Sequence, residues 1–327
     1  MLGYIMRRLV NMIITLLVIS VIVFTIIQLP PGDFLTAYIA YLQSTGEEVD
    51  QATIDALRKQ YGLDLPVYAQ YFKWLWGILH GDFGYSFYWN KPVNQLLWGR
   101  LGMSVVVSTI AIVFSWVTGF VIGMYSATHQ YSLGDYLATL LGYIGLATPN
   151  FLLALILLWL AYSWAGVNLG GLFSQEYINA PWSFAKFVDM LKHLWVPMVV
   201  VGTAGMAGLI RTLRANLLDE LHKPYVEAAL SKGLPERYVF WKYPMRIAMI
   251  PFISTVGWTI PRVFSGETIT AIVLNLPTVG PLLYGALMSQ DMYLAGSLVM
   301  FLSFFTVLGT LISDILLAWV DPRIRFE

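Results

Sequence analysis

The chain contains no cysteine among its 327 residues. This absence excludes disulfide bonds, thiolate metal ligands and thiol nucleophiles. Its four histidines lie too far apart in the sequence to form a local metal-binding motif; they are His80, His129, His193 and His222. We therefore predict no metal site, no cofactor and no metal-dependent catalysis.

Charge is also scarce. Only 12% of the residues are charged, and the formal net charge is zero, so nothing indicates a nucleic-acid partner. In contrast, 58% of the residues are hydrophobic, and the mean hydropathy is +0.68. A water-soluble core does not need this much apolar surface, which indicates that much of the chain lies in lipid.

Two further patterns are missing from the sequence. No Gly-x-x-x-x-Gly-Lys-Ser/Thr loop occurs, so the chain lacks the usual cradle for nucleotide phosphates. Nor does the sequence contain an internal repeat. Any energy from nucleotide hydrolysis must therefore come from another chain.

Long apolar runs predict an all-α polytopic membrane protein, because a run of about 20 residues crosses a hydrocarbon layer of about 30 Å as a helix. The first run follows Arg7 and Arg8 and is too long for a signal peptide. We predict six transmembrane helices, at about 9–29, 101–127, 136–164, 193–213, 247–273 and 293–320.

This pattern divides the chain into a first transmembrane helix (1–29), an external cap (30–100) and a transmembrane core (101–327). Within the cap, residues 66–79 are rich in aromatic side chains, which suits the membrane interface. A buried helix packed onto the cap is the alternative interpretation of this segment.

The distribution of Lys and Arg predicts the orientation, because cytoplasmic segments are enriched in positive charge. With both termini cytoplasmic, eleven of the 19 basic residues lie inside. These are Arg7, Arg8, Arg211, Arg214, Lys223, Lys232, Arg237, Lys242, Arg246, Arg323 and Arg325. The cap then lies outside, and Asp314 in the sixth span is expected to pair with Arg211, Arg214 or Arg246.

The most basic cytoplasmic stretch is the loop 214–246, between the fourth and fifth spans. It predicts a short helix that begins at Pro224, carries Glu227 in its first turn and ends at a left-handed Gly233. The small side chains of Ala228 and Ala229 suit a helix that enters a groove on another protein. Tyr225, Glu227 and Lys232 supply anchoring contacts around them.

Here the sequence resembles the permease subunits of ABC importers, whose EAA loop has Glu-Ala-Ala, three further residues and a glycine. Glu227, Ala228, Ala229 and Gly233 match this pattern. The resemblance extends to the dipeptide, oligopeptide and nickel permease group along most of the chain. The matching stretches are Pro31 to Asp33, Leu57 to Pro66, Gly81 to Ser86, Gly145 to Pro149 and Asp321 to Arg325.

The resemblance implies an inner-membrane permease that forms half of a translocation pathway for peptides, or for similar polar solutes such as oligosaccharides. It also implies a heterodimer with a second homologous permease, two ATP-binding subunits and an external solute-binding protein. In that family the EAA helix docks on the ATPase. The chain itself is then not an enzyme.

The fifth span is the predicted pathway lining. Arg262 and Glu267 place two charges within it, and each costs about 2.5–3.5 kcal/mol at the bilayer centre, which disfavours lipid exposure. Trp258 and Ser265 are assigned to the same lining. The alternative is a structural pair that contacts the companion permease.

The sequence disfavours two other functions. A secondary transporter without ATPase partners should contain internal repeats and several ionisable residues at mid-bilayer, which this sequence lacks. A membrane-bound hydrolase needs a serine in a nucleophile elbow, and no serine here has that context. We therefore predict no catalytic residue.

Overall fold

The computed structural model describes residues 2–28, 52, 54–56, 59, 64–86, 88–255 and 268–320. In this part of the chain the one sheet is a hairpin, in which β1 (Tyr85–Ser86) pairs antiparallel with β2 (Lys91–Pro92). The main helices are α1 (Leu2–Gln28), α2 (Val67–Leu79), α3 (Val93–Thr128), α4 (Leu133–Ala147), α5 (Asn150–Ala165), α6 (Phe184–Leu221), α7 (Pro224–Ser231), α8 (Glu236–Lys242), α9 (Pro244–Ser254), α10 (Thr268–Val273), α11 (Val279–Met288) and α12 (Met292–Val320).

Among the residues that the structure describes, four helices are long and apolar enough to cross a membrane. They span Ile5–Ile26, Val93–Thr128, Phe184–Leu221 and Tyr293–Leu316, and they correspond to the predicted first, second, fourth and sixth spans. The predicted fifth span, 247–273, coincides with α9 and α10 at its two ends, whereas residues 256–267 lie outside the described residues. The chain is therefore a largely helical membrane protein.

The third predicted span, 136–164, is two helices rather than one. Leu133–Ala147 and Asn150–Trp164 meet at a bend of 105°. Pro149 causes the break, because proline lacks an N–H group and forces the residue before it out of the helical conformation. Accordingly, Thr148 is extended, with φ −87° and ψ 120°.

The chain forms two compact units. The first comprises Met1–Arg8, Val105–Leu276 and Leu308–Glu327, and the second comprises Leu9–Ser104 and Pro277–Val307. In the first unit, α3 and α6 approach closely at glycines: a Cβ added to Gly119 would lie 2.7 Å from Leu209 Cβ, and one on Gly202 would lie 2.5 Å from the Phe114 ring. Ser115 Oγ donates to the Gly202 carbonyl at 2.6 Å.

The C-terminal part of α6 packs against α9 and α3 in a buried apolar core of the first unit. This core consists of Ala127, Leu209, Leu213, Leu217, Met245, Ala248 and Phe252. Trp116 and Phe252 meet edge to face, with ring centroids 4.7 Å apart. This core is the support from which the loop after α6 extends.

In the second unit, the Gly81 to Ser86 motif is explained by one local structure. Gly84 has φ +82°, and a Cβ there would lie 2.9 Å from the Tyr293 ring. Phe83 enters a buried core with Leu97 and Leu298. Ser86 Oγ donates to the carboxylate of Asp291 at 2.5 Å. Burial raises the pKa of this carboxyl group, and the hydrogen bond from Ser86 partly opposes that rise.

Candidate coupling site

The loop after α6 folds into two short helices, α7 and α8. As the sequence predicts, α7 begins with Pro224 at its first position and carries Glu227 in its first turn. The helix ends at Ser231, and Gly233 two residues later has a φ of +77° and donates its N–H to the Leu230 carbonyl at 2.9 Å. A Cβ at Gly233 would meet no atom within 4 Å, so the backbone conformation alone requires glycine here.

The two alanines of the motif have different surroundings. Ala229 is only 7% exposed and packs with Val226 and Val239 in a buried cluster between α7 and α8. Tyr225, Leu234 and Tyr243 close the edge of this cluster. Ala228, one residue earlier, is exposed.

Ala229 therefore stabilises the loop from within, although the sequence predicts that it faces a partner. Glu227, Ala228 and Lys232 are exposed and form the outer face of α7. We call these three residues the α7 outer face.

Tyr225 also has an internal role. Its hydroxyl donates to the carboxylate of Glu220, near the end of α6. Burial raises the pKa of Tyr225, and the Glu220 carboxylate adds to this effect. Its ring lies 6.4 Å from that of Tyr243, so Tyr225 links α7 to α6 and to the residue that follows α8.

The helix pair rests on the core of the first unit. Phe240 packs at the edge of that core, and the Trp241 ring lies 6.4 Å from that of Phe120. Thus α8 contacts this core and α7 contacts α8, so packed side chains form a continuous connection from α7 to α3 and α6.

An ion pair joins the first turn of α4 to the C-terminal part of α6, and the sequence analysis did not predict it. Asp135 is 2% exposed and accepts two bonds from Arg214, from Nε at 2.9 Å and from Nη2 at 2.8 Å. The backbone N–H of Tyr131 donates to Asp135 at 3.0 Å, and the Ser132 hydroxyl caps α4 by accepting from the Asp135 N–H. The spacing of Ser132 and Asp135 marks a helix start in the sequence, but no local pattern indicates the pairing with Arg214.

The predicted partners of Asp314 were wrong. Its carboxylate pairs with Arg8 at 2.9 Å. Arg214 is already bound to Asp135, and the guanidinium of Arg211 lies 5.7 Å from the Tyr143 ring. The pair therefore joins α1 to α12, two helices far apart in the sequence.

The four predicted pathway residues lie in the segment 256–267, outside the described residues. They are Trp258, Arg262, Ser265 and Glu267. In the part of the chain that the structure describes, no three or more Asp, Glu or His side chains are grouped so that they could hold a metal ion.

Comparison with known proteins assigns the chain to a family. The model of the binding-protein-dependent transport system inner membrane component matches residues 119–326, and the model of its N-terminal region matches residues 1–108. The chain is 34% identical to the oligopeptide transport system permease protein AppB of Bacillus subtilis, over the whole of both chains.

Two other relatives extend this comparison. A putative peptide permease protein of Brucella ovis is 31% identical over 99% of each chain. The glutathione transport system permease protein GsiC of Salmonella typhimurium is 29% identical over all of both chains. The chain therefore belongs to the binding-protein-dependent transport system inner membrane components and is a permease subunit of an ABC importer.

Proposed function

We propose that this permease forms half of the translocation pathway for peptides that an external binding protein delivers. The three relatives described above are named for oligopeptide, peptide and glutathione transport, which supports peptides over oligosaccharides as the cargo. A second, homologous permease supplies the other half, and two ATP-binding subunits supply the energy.

The observation that carries this proposal is the α7 outer face. Glu227, Ala228 and Lys232 are exposed on a helix whose opposite side is fixed by Val226 and Ala229. An exposed surface on a rigidly supported helix suits contact with an ATPase subunit, because docking then orders few additional groups. Tyr225, Ala229 and Gly233 give the helix its shape and orientation.

We infer six membrane spans, with α4 and α5 together as one broken span. Asp135 at the start of α4 pairs with Arg214 near the end of α6, so these two positions lie at the same membrane surface. Phe184, at the start of α6, is thirty residues before Arg214, or about 45 Å away along a helix. The chain between Asp135 and Phe184 therefore has to cross a hydrocarbon layer of about 30 Å.

The orientation follows from the basic residues, with both termini and α7 in the cytoplasm and the cap of residues 30–100 outside. Cysteines introduced at Ser231 and Asn179, both exposed, test this in a chain that has no native cysteine. We expect a membrane-impermeant maleimide to label Asn179→Cys in spheroplasts and to label Ser231→Cys only after lysis. The opposite labelling order would invert the proposed topology.

The function is tested by co-expressing the chain with its neighbouring permease and ATPase subunits and reconstituting the purified complex. We expect ATPase chains to co-purify with it, and the proteoliposomes to take up a peptide only with the binding protein and ATP. Uptake driven by an ion gradient, with no ATPase chain bound, would instead identify a secondary transporter. A cargo panel with one oligosaccharide is the specificity control.

A further inference from the structure

The break between α4 and α5 lies at membrane depth. Each helix of the pair has about fifteen residues and is about 22 Å long, so neither crosses a hydrocarbon layer of about 30 Å alone. Thr148 is thirteen residues after Asp135, or about 20 Å along α4 from the charged end of the helix. The extended residues Thr148 and Pro149 therefore lie near the middle of the hydrocarbon layer.

Contacts with α6 support the same depth. A Cβ added to Gly142 would lie 3.6 Å from Ala207 Cβ, and one on Gly145 would lie 3.8 Å from Thr203 Cβ. Thr203 is eleven residues before Arg214, or about 16 Å along α6 from the ion pair. Both measurements place the break well inside the membrane.

The break presents polar backbone at this depth. The carbonyl of Gly145 cannot receive its usual helical donor, because that donor would be the N–H that Pro149 lacks. The carbonyl of Ile144 accepts both the N–H of Thr148 at 3.0 Å and its hydroxyl at 2.8 Å. Thus Thr148 satisfies one carbonyl, but the chain turns in an extended conformation just after it.

Within the described part of the chain, side chains around the break remain open to the surroundings. Ala147 and Pro149 are exposed, and Leu146 and Phe151 are 56% and 42% exposed. Non-helical backbone in a membrane is tolerated only where protein buries it or where it lines a water-filled cavity. Lipid contact is therefore excluded for this segment.

We propose that the segment from Gly145 to Asn150 lines the translocation pathway, where its backbone carbonyls and the Thr148 hydroxyl accept hydrogen bonds from the amide N–H groups of a passing peptide. Main-chain acceptors suit a permease that carries peptides of different sequence, because every peptide presents the same backbone donors. The helix that follows the break, α5, packs against α10.

This inference rests on the proposed function, so the test begins with ATP-driven peptide uptake by the parent complex in proteoliposomes, after any cysteine in the partner subunits has been replaced. Failure of the parent to transport would contradict the proposed function, and with it the premise of this inference. Thr148→Cys and Ala147→Cys are then made singly, because one position alone could disturb the fold. The control is Ile14→Cys on α1, where the parent side chain is 54% exposed on an apolar helix.

The probe is a charged, water-soluble methanethiosulfonate reagent. We expect it to modify Thr148→Cys or Ala147→Cys at least about tenfold faster than Ile14→Cys, because only a hydrated thiol ionises to the reactive thiolate. Modification should abolish uptake, and saturating peptide cargo should slow the modification. Modification as slow as that of Ile14→Cys would indicate a dry contact with the companion permease. Modification without loss of uptake would place the segment outside the pathway. In a complex that still transports, either result overturns the inference.

Discussion

Replacing Ala228 with phenylalanine is expected to abolish ATP-driven uptake and to leave the folded permease intact, whereas Ala229→Phe is expected to disrupt the loop itself. Ala228 is exposed, so a large side chain there would meet only a docking partner. Ala229 is packed with Val226 and Val239. Overpacking such a cluster costs about 1–3 kcal/mol.

Two measurements separate these effects. Thermal unfolding of the isolated, detergent-solubilised permease should match the parent for Ala228→Phe and show a lower Tm for Ala229→Phe. Co-purification with the ATPase subunits should fall for both variants, because a loss of about 1.4 kcal/mol of docking free energy weakens binding about tenfold, and uptake should fall with it.

Conservative substitutions serve as controls. Ala228→Ser and Ala229→Ser add one oxygen each, and we expect only Ala229→Ser to lower the Tm, because it buries a hydroxyl among apolar side chains. Normal uptake and ATPase binding by Ala228→Phe would show that the α7 outer face does not dock an ATPase subunit.

Neutralising Asp135 should produce the largest loss of stability among single charge substitutions in the first unit. Asp135→Asn would leave the Arg214 side chain, which is 28% exposed, without its carboxylate partner. Breaking a buried ion pair by removing one partner typically costs about 3–5 kcal/mol, and partial exposure of Arg214 favours the lower end. We expect a Tm lower by several degrees and reduced yield of the assembled complex.

The matched control is Asp219→Asn, which neutralises an exposed carboxylate on α6 near the same end of the helix. Its Tm should equal that of the parent. Arg214→Lys should be intermediate, because lysine keeps the charge but cannot form the bidentate contact with Asp135. Equal melting temperatures for Asp135→Asn and Asp219→Asn would contradict a stabilising role for the ion pair.

The sequence by itself determined the features that depend on local physical chemistry. Long apolar runs fix helices in lipid, because each backbone amide needs a partner within its own segment. Pro224 and Gly233 set the ends of α7 through their own backbone preferences, and Gly233 has the expected positive φ. The family resemblance then followed from the four matched residues of the EAA loop between two predicted spans, together with five further matching stretches along the chain.

Only the tertiary structure decided which side of each helix is used. Ala228 and Ala229 are adjacent, about 100° apart around a helix, and the packing of α8 selects Ala229 for the interior. Asp314 pairs with Arg8, and Asp135 with Arg214, across long separations in sequence. No local propensity encodes such pairs, because they depend on which helices meet at the same depth.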